Sequence, residues 1–409
     1  MTRLQFITVA LLLPLVSFVS CANDKPPIEK PPIEKPSTDP ETPQASVLVD
    51  AKATENTKAL YLNLKQSAKT GIIYGQQEAY YENKTKEYQQ NCNISDATGE
   101  YPLMTGLDIE CLTNDDYSED NWRYKRVENM AEIVKQCHKR GVFTSFSWHF
   151  REPFYGDHFY VKDMDKNDPN TSKKAFKSIL KGGVNHTYYK EKLLLIANFF
   201  KSLKDENGEP IPVIFRPWHE FGGKWFWWGV PYYATSEEYI QNWRFTVDFL
   251  KNECQVHNLI YAFTPGFDTE AEYLASYPGD DYVDILGFDS YTSKAISTEA
   301  GFNTELKETI SQLNIISSLA TKRNKVAAFT EFGLRLDDLT TTVDNIFTRF
   351  YGATIKQSNG NIAYMMTWYN ADKTYTPTDE RFSEYKADYT SFVKSDKIYM
   401  KGEITSPLK

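Results

Sequence analysis

The stretch FRPWHEFGGKWFWWG, Phe215 to Gly229, sets His219 beside Glu220 and follows them with the run Trp225-Phe226-Trp227-Trp228. A carboxyl group crowded by aromatic rings loses water, and desolvation disfavours its charged form. Such a group can keep a proton near neutral pH and deliver it as a general acid. A second carboxyl, Glu331 in FTEFG (Phe329 to Gly333), has the opposite requirement if it is to attack. It must stay ionised, and Tyr291 in GFDSY (Gly287 to Tyr291) is a donor that could hold it so. One protonated and one ionised carboxyl are the equipment for splitting an acetal: the first protonates the departing oxygen, the second attacks the carbon or activates water. The blander uses of these residues are a structural ion pair between Glu220 and Arg216, and a helix cap for Glu331.

These residues can cooperate only if the fold collects them. Apolar runs of strand length alternate with helical patterns along the chain, which signals βα units and a parallel sheet. Eight such runs occur: Gly71 to Gln77, Pro102 to Asp108, Val142 to His149, Pro212 to Glu220, Leu259 to Pro265, Val283 to Tyr291, Lys325 to Gly333 and Ile362 to Asn370. They lack clean polar alternation, as expected when both faces are buried. Helices are expected over Asn121–Gly141 and near 237–253, 304–321, 340–354 and 382–394. The count of eight predicts a single (β/α)8 TIM barrel, an α/β fold. An open doubly wound sheet is the alternative, and no Gly-x-Gly-x-x-Gly turn supports it. His149, His219, Glu220, Asp289, Tyr291, Glu331 and Trp368 all fall at the same ends of separate strands. A closed barrel gathers them around one mouth. Its fourth and seventh strands would bring Glu220 and Glu331 to the ~5–5.5 Å of retaining glycosidases. Two long connections, Glu78 to Tyr101 and Arg151 to about Tyr188, would lie on that same face and wall the cleft.

The chain has 409 residues, a formal net charge of -9 and 15% aromatic residues. The acidic balance argues against nucleic acid as a partner. Flat apolar rings with polar tips suit sugar faces. Met1 to Arg3 carries one positive charge, Phe6 to Val19 is apolar, and Phe18-Val19-Ser20-Cys21 has the form of a lipobox. We therefore expect residues 1–20 to be a bacterial lipoprotein signal peptide, with lipid on Cys21. Residues 21–48, with a repeated Lys-Pro-Pro-Ile-Glu, would form an extended tether, and residues 49–400 the catalytic domain. This implies an exported protein anchored to the outer membrane, at the cell surface or on the periplasmic side, and a monomer. Of the remaining cysteines, Cys92 and Cys111 are the best disulfide candidates, the alternative being four buried thiols.

The blocks Arg216-Pro217-Trp218-His219-Glu220 and Gly223 to Gly229, with Ser145 to Pro153, Gly287 to Tyr291 and Phe329 to Gly333 in order, resemble glycoside hydrolase family 26, best known for endo-β-1,4-mannanases. The resemblance covers roughly residues 50 to 395. It implies Glu220 as acid/base and Glu331 as nucleophile. It implies His149, His219, Trp225, Tyr291 and Trp368 as substrate-site residues, His219 steadying the acid/base region and Trp225 and Trp368 flooring the sugars on either side of the cleavage point. Arg216 and Asp289 would support the carboxylates. The substrate implied is β-mannan or manno-oligosaccharide, with no cofactor and no metal. Other members cleave β-glucan or β-xylan, and a barrel that binds sugar without cutting it is the non-enzymatic alternative. Trp218, Arg151-Glu152 and Phe332 depart from the usual family pattern. Trp225, Trp227 and Trp228 cannot all line a site, and Trp122 and Tyr155 are further candidate sugar platforms.

Overall fold

Eight parallel strands close on themselves: β1 (Ile72–Gln77), β2 (Met104–Asp108), β3 (Phe143–Trp148), β4 (Val213–Pro217), β5 (Leu259–Phe263), β6 (Ile285–Tyr291), β7 (Val326–Gly333) and β8 (Ile362–Thr367). Each pairs with its neighbours in chain order, and β1 bonds to both β8 and β2, which closes the ring. The TIM barrel predicted from the eight apolar runs is the fold of this chain. The computed structural model describes residues 48–81, 87–114, 126–166, 168–357 and 360–400. The expected signal peptide, the tether, Cys21 and Trp122 lie outside the described residues.

The strands read as continuous apolar runs because each has two buried faces. On β4, Ile214 points into the barrel with Ile73, Phe143, Ile260, Ile285 and Val326. Its neighbour Phe215 points outward into the larger cluster beneath the helices. Leu60, Tyr61 and Leu64 of helix Glu55–Ser67 join the interior cluster and stopper its lower end. A short strand, β9 (Ile398–Tyr399), adds to the start of β1 and was not predicted.

The helix expected near 237–253 is Ser236–Asp248, continued by a π-helical turn, Phe249–Glu253. Thr235 and Glu238 form a reciprocal capping box at its start, satisfying amide donors that the helix itself cannot pair. The helix expected over 304–321 runs from Glu299 to Lys322.

Three expectations need correction. The helix expected near 340–354 starts late: residues 346–357 are helical, through a π-helical turn, Thr348–Gly352, and a short helix, Ala353–Gln357, whereas 340–345 are not. The run Thr340-Thr341-Thr342-Val343 is β-branched and a poor helix former. The Asp388 carboxylate accepts from the Phe347 and Thr348 amides in the first turn of that helix and fixes where it starts. The connection after β3 is not a bare loop, since it holds helices Val161–Met164 and Thr171–Ile179 before His186–Ser202. Cys92 and Cys111 are not joined. Both are buried free thiols, like Cys137 and Cys254. Cys92 caps helix Asn93–Thr98, and burial pushes its thiol up to about 11.

Candidate active site

Arg216 enters the barrel from β4 and is 1% exposed. An unpaired guanidinium there would be very costly, and its partners come from β6 and β7. Its Nη1 lies 2.7 Å from Asp289 Oδ2, and its Nη2 pairs with Glu331 Oε1. Burial alone would lower the guanidinium's pKa, but the Asp289 and Glu331 carboxylates raise it. The ion pairs of Arg216 are therefore made with Glu331 and Asp289, not with Glu220.

Glu331 reaches this position through an irregularity in the sheet. Phe288 on β6 pairs with Phe329 on β7, yet the next residue, Asp289, pairs with Glu331. Thr330 is the extra residue, and its hydroxyl donates to Phe288 O at 2.9 Å and Asp289 Oδ1 at 2.7 Å. Such a bulge re-aims the side chain that follows it. The second oxygen of Glu331 accepts from Tyr291 Oη at 2.7 Å. Burial, then the Glu331 charge, push the Tyr291 phenol well above its ordinary range, so it serves as donor.

Beyond β4 the chain twists sharply. Trp218 and Glu220 have φ of 57° and 52°, a left-handed conformation costly for side chains of this size and typical of functional sites. The Glu220 amide is tied to Thr264 O at 2.9 Å. The double reversal buries Trp218 and His219, each 1% exposed, and presents the Glu220 carboxyl to the mouth. Burial first, and the nearby Glu331 charge second, raise that carboxyl to about 7. Trp225 Nε1 donates to Glu220 Oε2 at 2.8 Å, which opposes the rise only in part. Carboxylate oxygens of Glu220, Asp289 and Glu331 lie within 4.8 Å of one another. Three carboxyls so close can hold a cation, but Arg216 already lies against two of them.

Of the aromatic run, Trp227 and Trp228 are 0% exposed while Trp225 is 46% exposed. The indole N–H groups of Trp227 and Trp228 bond to Phe150 O and His219 O, both at 2.8 Å. They brace the β3 and β4 loops, and only Trp225 offers a face to a ligand. Trp368 is half-buried just past β8. His149 Nδ1 pairs with Asp108 Oδ2, and its Nε2 is 3.2 Å from His219 Nε2. His219, expected to face substrate, is too deeply buried to do so; it lies beneath His149 and positions it. Burial, then His149 and Arg216, hold His219 well below the usual imidazole range, so it is neutral. Burial would lower His149 too, but the Asp108 carboxylate outweighs it and raises the imidazole.

Asp108 was missed by the sequence reading, although it ends a predicted strand on the same face as the other site residues. Tyr160, whose phenol is raised by burial and by Glu220 and Glu331, carried no signal because it sits in a connection. The Arg151-Glu152 departure serves that connection. Arg151 Nε pairs with Glu110 at 2.7 Å, and the Glu152 carboxylate accepts the Phe154 amide at 2.8 Å.

A closed parallel barrel with acidic groups gathered at the C-terminal ends of β4, β6 and β7 has the architecture of a (β/α)8 hydrolase. Residues 49–329 match the description Glycosyl hydrolase family 26. The chain belongs to that family and is a glycoside hydrolase. It is 32% identical over 367 residues to a mannan endo-1,4-beta-mannosidase of Bifidobacterium adolescentis, covering 86% of this chain and 35% of the relative. The chain thus spans about a third of that relative's length. Among solved structures, GH26C from Muricauda sp. superposes with a TM-score of 0.80 at 38% identity, covering 88% of this chain and 96% of that one. The catalytic domain of a Bacillus sp. JAMB-750 GH26 endo-beta-1,4-mannanase gives 0.77 at 31% identity, covering 88% and 95%.

Proposed function

We propose that this protein hydrolyses internal β-1,4-mannosidic linkages of mannan, galactomannan or derived oligosaccharides with retention of anomeric configuration. The observation that carries the mechanism is the spacing of the carboxyls, within 4.8 Å. That is near the ~5–5.5 Å of double displacement and short of the ~6.5–9.5 Å that admits a water between them. Their surroundings also differ as the two roles require. Glu220, raised to about 7, gives its proton to the glycosidic oxygen as that bond breaks. Glu331, held by Arg216 and Tyr291, attacks the anomeric carbon and forms the glycosyl ester. Water then breaks the ester, delivering its proton to Glu220. His149 contacts the reacting sugar, Asp108 and His219 hold His149, and Trp225 and Trp368 floor the neighbouring sugars. The mannan preference is supported by the names of the similar proteins. Lipid on Cys21 and anchorage at the bacterial outer membrane belong to the same proposal and rest on the sequence of residues 1–48; a monomeric state is proposed with them.

The test has two parts. NMR of the first products on linear mannan should show the substrate's own configuration, and inversion would sink the role given to Glu331. In Glu220→Ala, added azide should speed turnover of an activated aryl mannoside, because a small anion attacks without deprotonation; Glu331→Ala should give no retained product. Rescue of Glu331→Ala with retained product, together with rescue of Glu220→Ala with inverted product, would swap the two assignments. Cleavage of lichenan or xylan with mannan spared would move the substrate to β-glucan or β-xylan.

A further inference from the structure

Tyr291 donates to Glu331, and a cation lies over its ring. The guanidinium carbon of Arg335 is 5.1 Å from the centroid of the Tyr291 ring, inside the ~6 Å reach of cation–π attraction. Arg335 is the second residue past β7, the strand that carries Glu331. The side chain is half-buried, and its buried Nε has no hydrogen-bond partner among the described residues. Among those residues it forms no ion pair either. A buried donor left in that state calls for a reason other than packing.

Carboxylates are not lacking nearby. Asp337 and Asp338 follow in the next turn, but both are turned to the connection after β8. Asp338 Oδ1 pairs with Lys373 Nζ at 2.5 Å. Asp337 pairs with Arg381 at 3.4 Å and accepts the Thr374 amide at 2.5 Å. Leu336 N donates to Thr374 O at 3.0 Å. These bonds stitch the β7 and β8 connections together and leave the Arg335 charge to Tyr291.

The same stitching sets Tyr375 against Tyr291, with ring centroids 5.7 Å apart. A Cβ on Gly333 would lie 2.5 Å from each of these rings, so both rest on bare main chain. Tyr291 is therefore confined by Gly333, Tyr375 and Arg335 together. Burial raises the Tyr375 phenol, and the Arg335 charge opposes that rise. The charge acts in the same sense on Tyr160, in the connection after β3.

A cation on the face of a phenol draws electron density from the ring and makes its O–H a stronger donor. That donor is used at one place, the 2.7 Å bond from Tyr291 Oη to Glu331 Oε2. We propose that Arg335 is a positioning residue that acts through Tyr291, confining its ring and strengthening its hold on Glu331. This rests on the role of nucleophile proposed above for Glu331. When water breaks the glycosyl ester, the electron pair of the broken C–O bond returns to Glu331, and a stronger donor favours the carboxylate so formed.

The test is a double-mutant cycle on mannopentaose with Arg335→Met, Tyr291→Phe and the two combined. Arg335→Met should lower kcat about 2- to 30-fold, the range of one cation–π contact, with KM little changed. Arg335→Gln, polar and neutral, should repeat the loss, and Arg335→Lys, which keeps a cation, should recover most of it. Phenylalanine at 291 keeps the ring and loses the hydroxyl. In that background Arg335→Met should cost kcat nothing further. The same loss in both backgrounds would make Arg335 a packing residue, and a loss confined to KM would make it a substrate contact. Either result overturns this role and leaves the hydrolytic function standing. Unaltered protein that cuts neither mannopentaose nor an activated aryl β-mannoside would overturn the function and, with it, this role.

Discussion

Glu220 and Glu331 carry the same side chain and differ only in company. Glu220 has one neutral donor, Trp225, and a burial that favours its protonated form. Glu331 has a guanidinium and a phenol, one on each oxygen. Three predictions follow from that company. Glu220 must be protonated to act as acid, so kcat/KM should fall as pH rises through about 7, and a profile flat to pH 9 would remove it from that role. The same shift bears on stability. A carboxyl whose proton is held more tightly in the folded state than at its ordinary 4.5 stabilises the fold fully below pH 4.5, and that stabilisation is lost as pH rises through about 7. Glu220→Gln should therefore match the parent at pH 4 and exceed it by on the order of 1–3 kcal/mol at pH 8, read by denaturant unfolding. Tyr291→Phe removes a 2.7 Å bond to the nucleophile. Bonds to charged groups are worth ~1.5–3 kcal/mol, so kcat should drop roughly 10- to 100-fold. KM on mannopentaose should change much less, and a loss confined to KM would make Tyr291 a substrate contact instead.

At the scale of elements, the site is assembled by departures from regular structure. The β7 bulge at Thr330 brings Glu331 level with Asp289, and the left-handed residues Trp218 and Glu220 turn the chain after β4. The β4 and β5 loops are then held together at Gly222 and Gly266. Gly222→Ala would place a methyl 2.2 Å from a backbone oxygen that cannot rotate away. It should destabilise the fold by about 1–3 kcal/mol and weaken catalysis together with stability, since the Glu220 amide is bonded to β5-side Thr264. An unchanged unfolding midpoint would show that the two loops do not meet in solution.

For the molecule as a whole, the barrel works from one end. The lower end is closed by Leu60, Tyr61 and Leu64, and the chemistry sits at the other. Replacing Cys21 with Ala should move the protein from the membrane fraction to the soluble fraction, with hydrolysis of soluble mannan unchanged. Continued sedimentation with membranes would show that Cys21 carries no lipid.

The linear sequence by itself determined the ring of eight strands, because a parallel strand with two buried faces leaves an unmistakable apolar run. It also determined which residues end those strands, and with them Glu220, Asp289, Tyr291 and Glu331. Tertiary structure decided how they are used. Burial of His219 beneath His149 depends on the φ of residues that any strand pattern reads as extended. The pairing of Arg216 with Glu331 and Asp289 rather than Glu220 depends on a one-residue bulge, which shifts register without altering composition. The late start of the helix expected at 340–354 and the separate thiols of Cys92 and Cys111 have the same origin. Local periodicity and spacing report what a segment can do, whereas partners such as Asp388, distant in the chain, settle what it does.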